Sequence, residues 1–503
     1  MRDGSGHAAP EEAIPSRNAE LGHSGRVETA TQALHRLTSY APGREWTEPV
    51  DDSRVVQDLE VNDPARFPWH YKRYPSGLPR TALPRDLPTT EPATLDVLAG
   101  TAQVPERALD LPHLSRLLYL SAGVVRTTGL SHRRRYLFRA AGSAGARFPL
   151  EVYVAAPTGG PLPAGVHWYD PLEHALVQVG PAPGGTAPAL IVTGVPWRTG
   201  WRYRERGYRH VYWDAGTMLA QLLALAGSAG LTARLYTDFP DVAVAMLAGA
   251  DRVHEWPVAV VALDGEDPAT AAAGPAAAGE VDAAPLEFPL VTAAQRAGEA
   301  DRLGKPWDRG VPVDVPRPAT APVEAVIGAR GSQRRMDPAR GLPEDTLRTC
   351  MAVSLRGIGV PHWVVVHDVG GIAAGIYRWP DLTTPVRTGA LRDELHRVCL
   401  DQSLARDAAF VAIAAAGVRS LSDREYREAQ LAAGLAEGRM HLAAYALGAS
   451  ACGMTFLDSE ISALLGEPVD ALLFTCVGVP AYTSAQAGPP GAPNAVRMVS
   501  PQT

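Results

Sequence analysis

The order of structural elements in this chain begins again halfway along. AGVHWYDP (Ala164 to Pro171) returns as AGIYRWPD (Ala374 to Asp381), and FPLEVYV (Phe148 to Val154) returns as VPHWVVV (Val360 to Val366). AGLT (Ala229 to Thr232), which closes a long apolar helical stretch, returns as ACGMT (Ala451 to Thr455). The echoes keep their order and lie at nearly the same separation, which points to a domain-scale repeat and not a short-period solenoid. A chain of 503 residues also exceeds what one core usually holds. Each half reads as helices with a few strands, an α+β arrangement. Tandem copies on one chain are expected to pack as an intramolecular pseudo-dimer, with any further homodimer left open.

Composition places the boundaries. Residues 1–26 are polar, rich in Gly, Ala, Glu and Ser, and expected to be disordered. The two domains are expected at 27–265 and 323–483. Between them, 266–322 reads as an Ala/Gly/Pro-rich linker, and 484–503 as a flexible tail. The net charge of -7 gives no reason to expect nucleic acid as a partner. Cys350, Cys399, Cys452 and Cys476 form no CxxC pair, so no metal site or disulfide framework is indicated. With no apolar leader segment and no uninterrupted membrane span, the expected location is the cytoplasm.

Two stretches stand out chemically. In GARGSQRRMDP, Arg330, Ser332 and Arg334 alternate, so an extended segment would present two guanidinium groups and a hydroxyl on one face. That face suits a phosphate, because Arg offers a planar fork of donors; a solvated basic loop is the alternative. In FRAAGSAGARFPLEVYV, Ser143, Ala144 and Gly145 stand directly before a strand. Residues this small let a backbone approach something flat or charged, or else make a tight turn. The run His132, Arg133, Arg134 and Arg135 could receive an acidic peptide or form a solvated face, and Arg497 could add a phosphate contact from the tail.

RGSQRRMDP resembles the RRSxRxF opening of the FMN-dependent nitroreductase superfamily, and GSAGARFPLEVYV resembles the PSAGARYPLELYV segment of its SagB-type branch, the dehydrogenases that aromatise azolines in ribosomally made peptides. LPAGVHWYDPLEHALV, GWRYRERGYRHVYWDAGTML and the stretch from Tyr426 to Gly466 extend the resemblance through both halves. It implies FMN at the interface between domains. The second half would supply the arm (Arg330, Ser332, Arg334) and a late loop from Cys452 to Thr455 that includes Gly453 and Met454. The first half would supply Ser143, Ala144 and Gly145, the Ser143 hydroxyl hydrogen-bonding the flavin.

The first half has no such arm in KRYPSGLPRTALPRDLP, and the second has no PSAG segment, so one composite site per chain is expected. The branch's catalytic Lys-Tyr pair falls on Arg202 and Tyr203. Arg hardly ever gives up its proton, which leaves Arg202 as electrostatic support and Tyr203 or another group as the proton carrier. The implied activity is oxidation of thiazoline or oxazoline rings in a modified peptide, with a cyclodehydratase complex as a possible partner. Reduction of a small molecule by NAD(P)H and a non-catalytic scaffold role are the alternatives.

Overall fold

The computed structural model describes residues 27–45, 51–128, 136–316 and 318–500. The expected disordered segment 1–26 and the His132 to Arg135 run lie outside the described residues. The first half opens with α1 (Ala30–Leu37), started by a reciprocal capping box between Thr29 and Gln32. After β1 (Arg80–Ala82) come α2 (Thr94–Ala99) and α3 (Leu111–Ala122). Helical spacing continues in sequence to Val125, but Gly123 ends α3, and the β-branched run behind it forms β2 (Val124–Thr128), which pairs with β3 (Leu137–Arg139). Then follow β4 (Leu150–Ala156), β5 (Gly165–Asp170), β6 (Ala175–Gly180) and β7 (Ala189–Gly194). The half closes with α4 (Pro196–Tyr203), α5 (Gly207–Ser228), β8 (Ala233–Tyr236), α6 (Asp241–Ala248) and β9 (Trp256–Leu263).

A connecting segment carries α7 (Pro289–Ala297). The second half runs through α8 (Val323–Ala329), α9 (Glu344–Ser354), β10 (His362–Val366), β11 (Gly375–Arg378) and β12 (Pro385–Thr388). It continues with α10 (Arg392–Val398), α11 (Ser403–Asp407), β13 (Phe410–Ala416), α12 (Asp423–Ala446), β14 (Ser450–Met454), α13 (Ile461–Leu465) and β15 (Asp470–Gly478). A last short strand, β16 (Asn494–Val496), lies beyond it.

The two large sheets repeat one strand order. The first runs β1-β6-β5-β4-β7-β9-β8 and the second β12-β11-β10-β13-β15-β14, so that without its edge strand β1 the first matches the second position for position. The pairings within both sheets are antiparallel, with Val152 opposite Val192 in one and Val364 opposite Ala412 in the other. Strands β4 and β9 are buried along their whole length; β9 accordingly reads as an unbroken apolar run, and β4 is interrupted only by Glu151, which is paired with Arg198.

The halves meet along α5 and α12. Gly216, Gly434 and Gly438 make the crossing: a Cβ on Gly438 would lie 2.8 Å from Thr217 Cα, and one on Gly434 would lie 2.7 Å from Trp213 Cα. Such close approach leaves α5 buried on nearly every side, including the polar residues His210, Asp214, Thr217 and Gln221 that recur along it at helical spacing.

A buried ion triad ties the halves together as well. Asp458 of the second half meets Arg206 Nη1 at 2.5 Å and Arg209 Nη1 at 2.7 Å, and accepts from the Tyr40 backbone N–H at 2.7 Å. Burial pushes its carboxyl up, but the two guanidinium groups outweigh this and hold it well below the usual carboxylate range. A carboxyl depressed in the folded state contributes stability above its unfolded value of about 3.9, and that contribution is lost as pH falls further, toward the folded value. Asp458→Asn is expected to cost about 3–5 kcal/mol at neutral pH, since it strands two buried cations. Urea unfolding at pH 7 and pH 3 checks this: the deficit should shrink at the lower pH.

Two expectations are corrected. The 266–322 segment is not a featureless linker: Phe288, Leu290, Val291 and Ala294 of α7 and the turn before it are buried, and Trp307 Nε1 donates to Gly357 O at 3.2 Å. Low complexity hid a belt whose small residues fit between larger ones, as Gly279 does against Lys72 and Tyr74. Nor is 484–500 a loose tail. Ala487 N donates to Gly328 O, Gly488 N donates to Val125 O, and β16 adds to β2 as a parallel strand. Among the described residues, no helix is long and apolar enough to cross a membrane.

Candidate active site

A cavity of about 460 Å³ opens between the halves. The residues expected to hold the cofactor or act in catalysis line it: Ser143, Ala144 and Gly145, Arg202 and Tyr203, Arg330, Ser332 and Arg334, and Gly453 and Met454. The arm runs from the end of α8. Its Arg330 is 2% exposed and donates through Nη2 to Ala140 O, while Nε and Nη1 are buried without a partner among the described residues. Each unmet buried donor costs on the order of 1–3 kcal/mol, so this guanidinium is built to receive an acceptor. Arg334 is exposed at the cavity and has no carboxylate partner among the described residues. The intervening Gln333 is buried, its amide donating to Arg335 O at 2.9 Å and Tyr482 O at 3.1 Å, which fixes the extended arm.

The small-residue turn faces this arm. A Cβ on Gly142 would lie 3.5 Å from Ser332 Oγ and 3.6 Å from Arg330 Nη1; a Cβ on Gly145 would strike Tyr203 Oη at 2.6 Å and Arg202 Cδ at 2.7 Å. Gly145 also holds φ +59, so both conformation and space require glycine there. The expected late loop is instead a strand, β14, pinned by pairing of Cys452 with Cys476 on β15. Burial pushes the Cys452 thiol up to about 12, which leaves it protonated and inert as a nucleophile.

One assigned role changes. The Ser143 hydroxyl is engaged with the Asp214 carboxyl and accepts from Phe148 N at 2.8 Å, while Ala144 N donates to Asp214 at 2.9 Å. Ser143 therefore sets the turn, and close approach to a ligand falls to the backbone of Ala144 and Gly145. Asp214, on α5, was not visible in the sequence. Burial raises it well above the usual carboxylate range, with the Ser143 and Ala144 bonds acting in the opposite direction.

The sequence reading also missed Glu437, whose carboxyl covers Gly453 and accepts from Thr217 Oγ1 at 3.2 Å, and Arg126, which donates to Ala485 O and Gly328 O. His210 and Trp213 also line the cavity, as do Arg497 and its neighbours from the strap behind β16.

The corresponding corner on the other side of the molecule is filled. Aligning Pro149 with Pro361 places Gly357, at φ +68, where the first half has Gly145, so the turn survives in a stretch whose sequence gave no sign of it. Against it lies the belt: a Cβ on Gly357 would lie 2.6 Å from Arg309 C and 2.7 Å from Gly310 N. The first-half counterpart of the arm is also relocated. By element order α2 matches α8, so the counterpart starts at Gly100, where Arg356 of the second half lies over the glycine, and not in Lys72 to Pro88. That earlier segment carries the edge strand β1 and the buried Lys72–Glu255 pair.

This architecture is shared with known proteins. A crystal structure from Anabaena variabilis that carries a nitroreductase name superposes with a TM-score of 0.69 at 23% identity, covering 90% of this chain and 100% of that one. One from Ralstonia eutropha, also nitroreductase-named, gives 0.30 at 22% identity over 42% of this chain and 95% of that one. A nitroreductase-named protein of Methanocaldococcus jannaschii is 29% identical over 164 residues, covering 29% of this chain and 79% of that protein. No family model matches the chain. The fold is nitroreductase-like.

Proposed function

We propose that the chain is an FMN-dependent oxidoreductase built from two fused nitroreductase-like domains, 27–265 and 323–483, with one composite site. The observation that carries this reading is the cavity itself, which joins the unpaired Arg330 Nε and Nη1, Ser332 and Arg334 of one half to the close-approach turn at Ala144 and Gly145 of the other. The donor set fits a flavin mononucleotide: guanidinium groups and a hydroxyl for the phosphate, and a Cβ-free surface for the ring. When bound, FMN would supply hydride exchange with a substrate stacked on it. Arg330, Ser332 and Arg334 would orient the phosphate, Tyr203 at Gly145 would carry a proton, and Arg202 would remain charged and stabilise negative charge as it develops.

In its finer form, the substrate is a thiazoline or oxazoline in a ribosomally made peptide, oxidised to the azole, with a cyclodehydratase as partner. A second reading, NAD(P)H-dependent reduction of a small molecule, is favoured by Arg202, which stands where azoline dehydrogenation calls for a base that releases its proton. The test is the absorption spectrum and flavin content of the purified protein, expected at one FMN per chain. Anaerobic bleaching by an azoline peptide supports the finer form, and bleaching by NADPH supports the second. A protein that FMN cannot reconstitute overturns both and leaves a scaffold.

A further inference from the structure

Several buried arginines of the first half hold a carboxylate: Arg198 with Glu151 at 2.5 Å, Arg116 with Glu324 at 2.7 Å, and Arg206 and Arg209 sharing Asp458. Arg126 and Arg139, which hold none among the described residues, donate instead to backbone carbonyls. Arg202 holds none among the described residues. Its Nη1 donates to Asn62 Oδ1 at 3.1 Å, and its Nε is buried without a partner.

Near it, His210 is 1% exposed, and neither ring nitrogen has a partner among the described residues. The His210 ring stands edge-on to Tyr203, with centroids 4.0 Å apart, and Trp213 lies 4.6 Å away on the next turn of α5. The corner thus concentrates positive charge: Arg206 and Arg209 share one carboxylate, and Arg202 adds a cation with none. Burial first, and then these guanidinium groups, keep the His210 imidazole neutral. A neutral imidazole offers one donor and one acceptor, and beside an unpaired guanidinium its donor completes a pocket for a planar anion.

We infer that Arg202 and His210 form a carboxylate subsite, on the Gly145 side of the turn and separate from Arg330, Ser332 and Arg334 on the Gly142 side, and that the substrate is an acid. This rests on reading the cavity as a redox site and narrows its substrate to molecules bearing a carboxylate near the ring or double bond that is oxidised or reduced. Arg202 is half-buried, but its Nε and both His210 ring nitrogens are buried without a partner among the described residues, and an anion that accepts from them relieves that cost. A phosphate held by the arm faces the other end of the turn and leaves this corner unmatched.

The test uses the full-length protein stripped of flavin, with tryptophan fluorescence and thermal shift as readouts and benzoate, benzamide and inorganic phosphate as probes. Benzoate is expected to bind at least about 10-fold more tightly than neutral benzamide, the size of one charge-assisted hydrogen bond. Arg202→Gln should remove that preference and leave the phosphate response intact; Arg334→Gln should do the reverse; Arg202→Lys should restore part of it. Equal binding of benzoate and benzamide, or benzoate binding unchanged in Arg202→Gln, overturns the subsite. FMN titration of the same preparation separates the two claims. FMN bound with benzoate ignored overturns the subsite alone, whereas Arg202-dependent benzoate binding with FMN refused overturns the flavin reading and leaves the subsite standing.

Discussion

Replacing Arg330 and Arg334 together with alanine is expected to weaken FMN binding by about 100- to 10,000-fold, because each guanidinium supplies a charge-assisted contact of roughly 1.5–3 kcal/mol. The two substitutions differ in kind. Arg334 is exposed and its side chain has no hydrogen-bond or carboxylate partner among the described residues, so Arg334→Ala alone should lower affinity with the melting temperature unchanged. Arg330 also donates to Ala140 O across the interface, so its loss should destabilise the protein too. Arg330→Lys keeps a charge but loses the fork, and should recover stability more fully than affinity. Flavin fluorescence titration beside thermal melts separates these effects. An affinity for FMN that survives the double substitution would remove the arm from the site.

A large stability effect is also expected at the helix crossing. In Gly434→Val, a branched side chain would be driven into the Trp213 backbone, whose Cα lies 2.7 Å from the Cβ position. Overpacking a core usually costs about 1–3 kcal/mol when neighbouring side chains can rotate away. Here the obstacle is main chain, so about 3 kcal/mol or more is expected, with loss of the cavity as α5 and α12 separate. Gly359→Ala, where nothing lies within 4 Å of the added carbon, is the control and should stay within about 0.5 kcal/mol. Similar urea midpoints for the two variants would show that the crossing is plastic.

The sequence carried the site where function depends on residues close together in the chain. Arg330, Ser332 and Arg334 alternate on one extended segment, and Ser143 to Gly145 are consecutive, so spacing alone grouped them. It failed where the partner is remote. Asp214, which holds the turn at Ser143, lies 71 residues away in a helix read as a long apolar stretch, and Glu437 covers Gly453 from a different element. The contacts of Ser143 with Asp214 and Phe148 N escaped notice for the same reason: a hydroxyl's partner is set by tertiary packing. The belt and the strap were missed because Ala-, Gly- and Pro-rich composition reports what a segment lacks, namely a core of its own, and says nothing about whether another surface holds it. The shared strand order of the two sheets agrees with the order of elements that the sequence echoes suggested.

The segment lodged against Gly357 is covalently continuous with both halves, and this sets its effective concentration independently of how much protein is present. Dilution cannot empty that corner, and no soluble ligand competes with it on equal terms. A pair of identical subunits presents two equivalent sites that can communicate or bind in sequence; this chain has written its inequality into its connectivity. On the proposed single composite site, FMN saturation is one event per molecule, and its isotherm is expected to follow one hyperbola across the whole range of protein concentration.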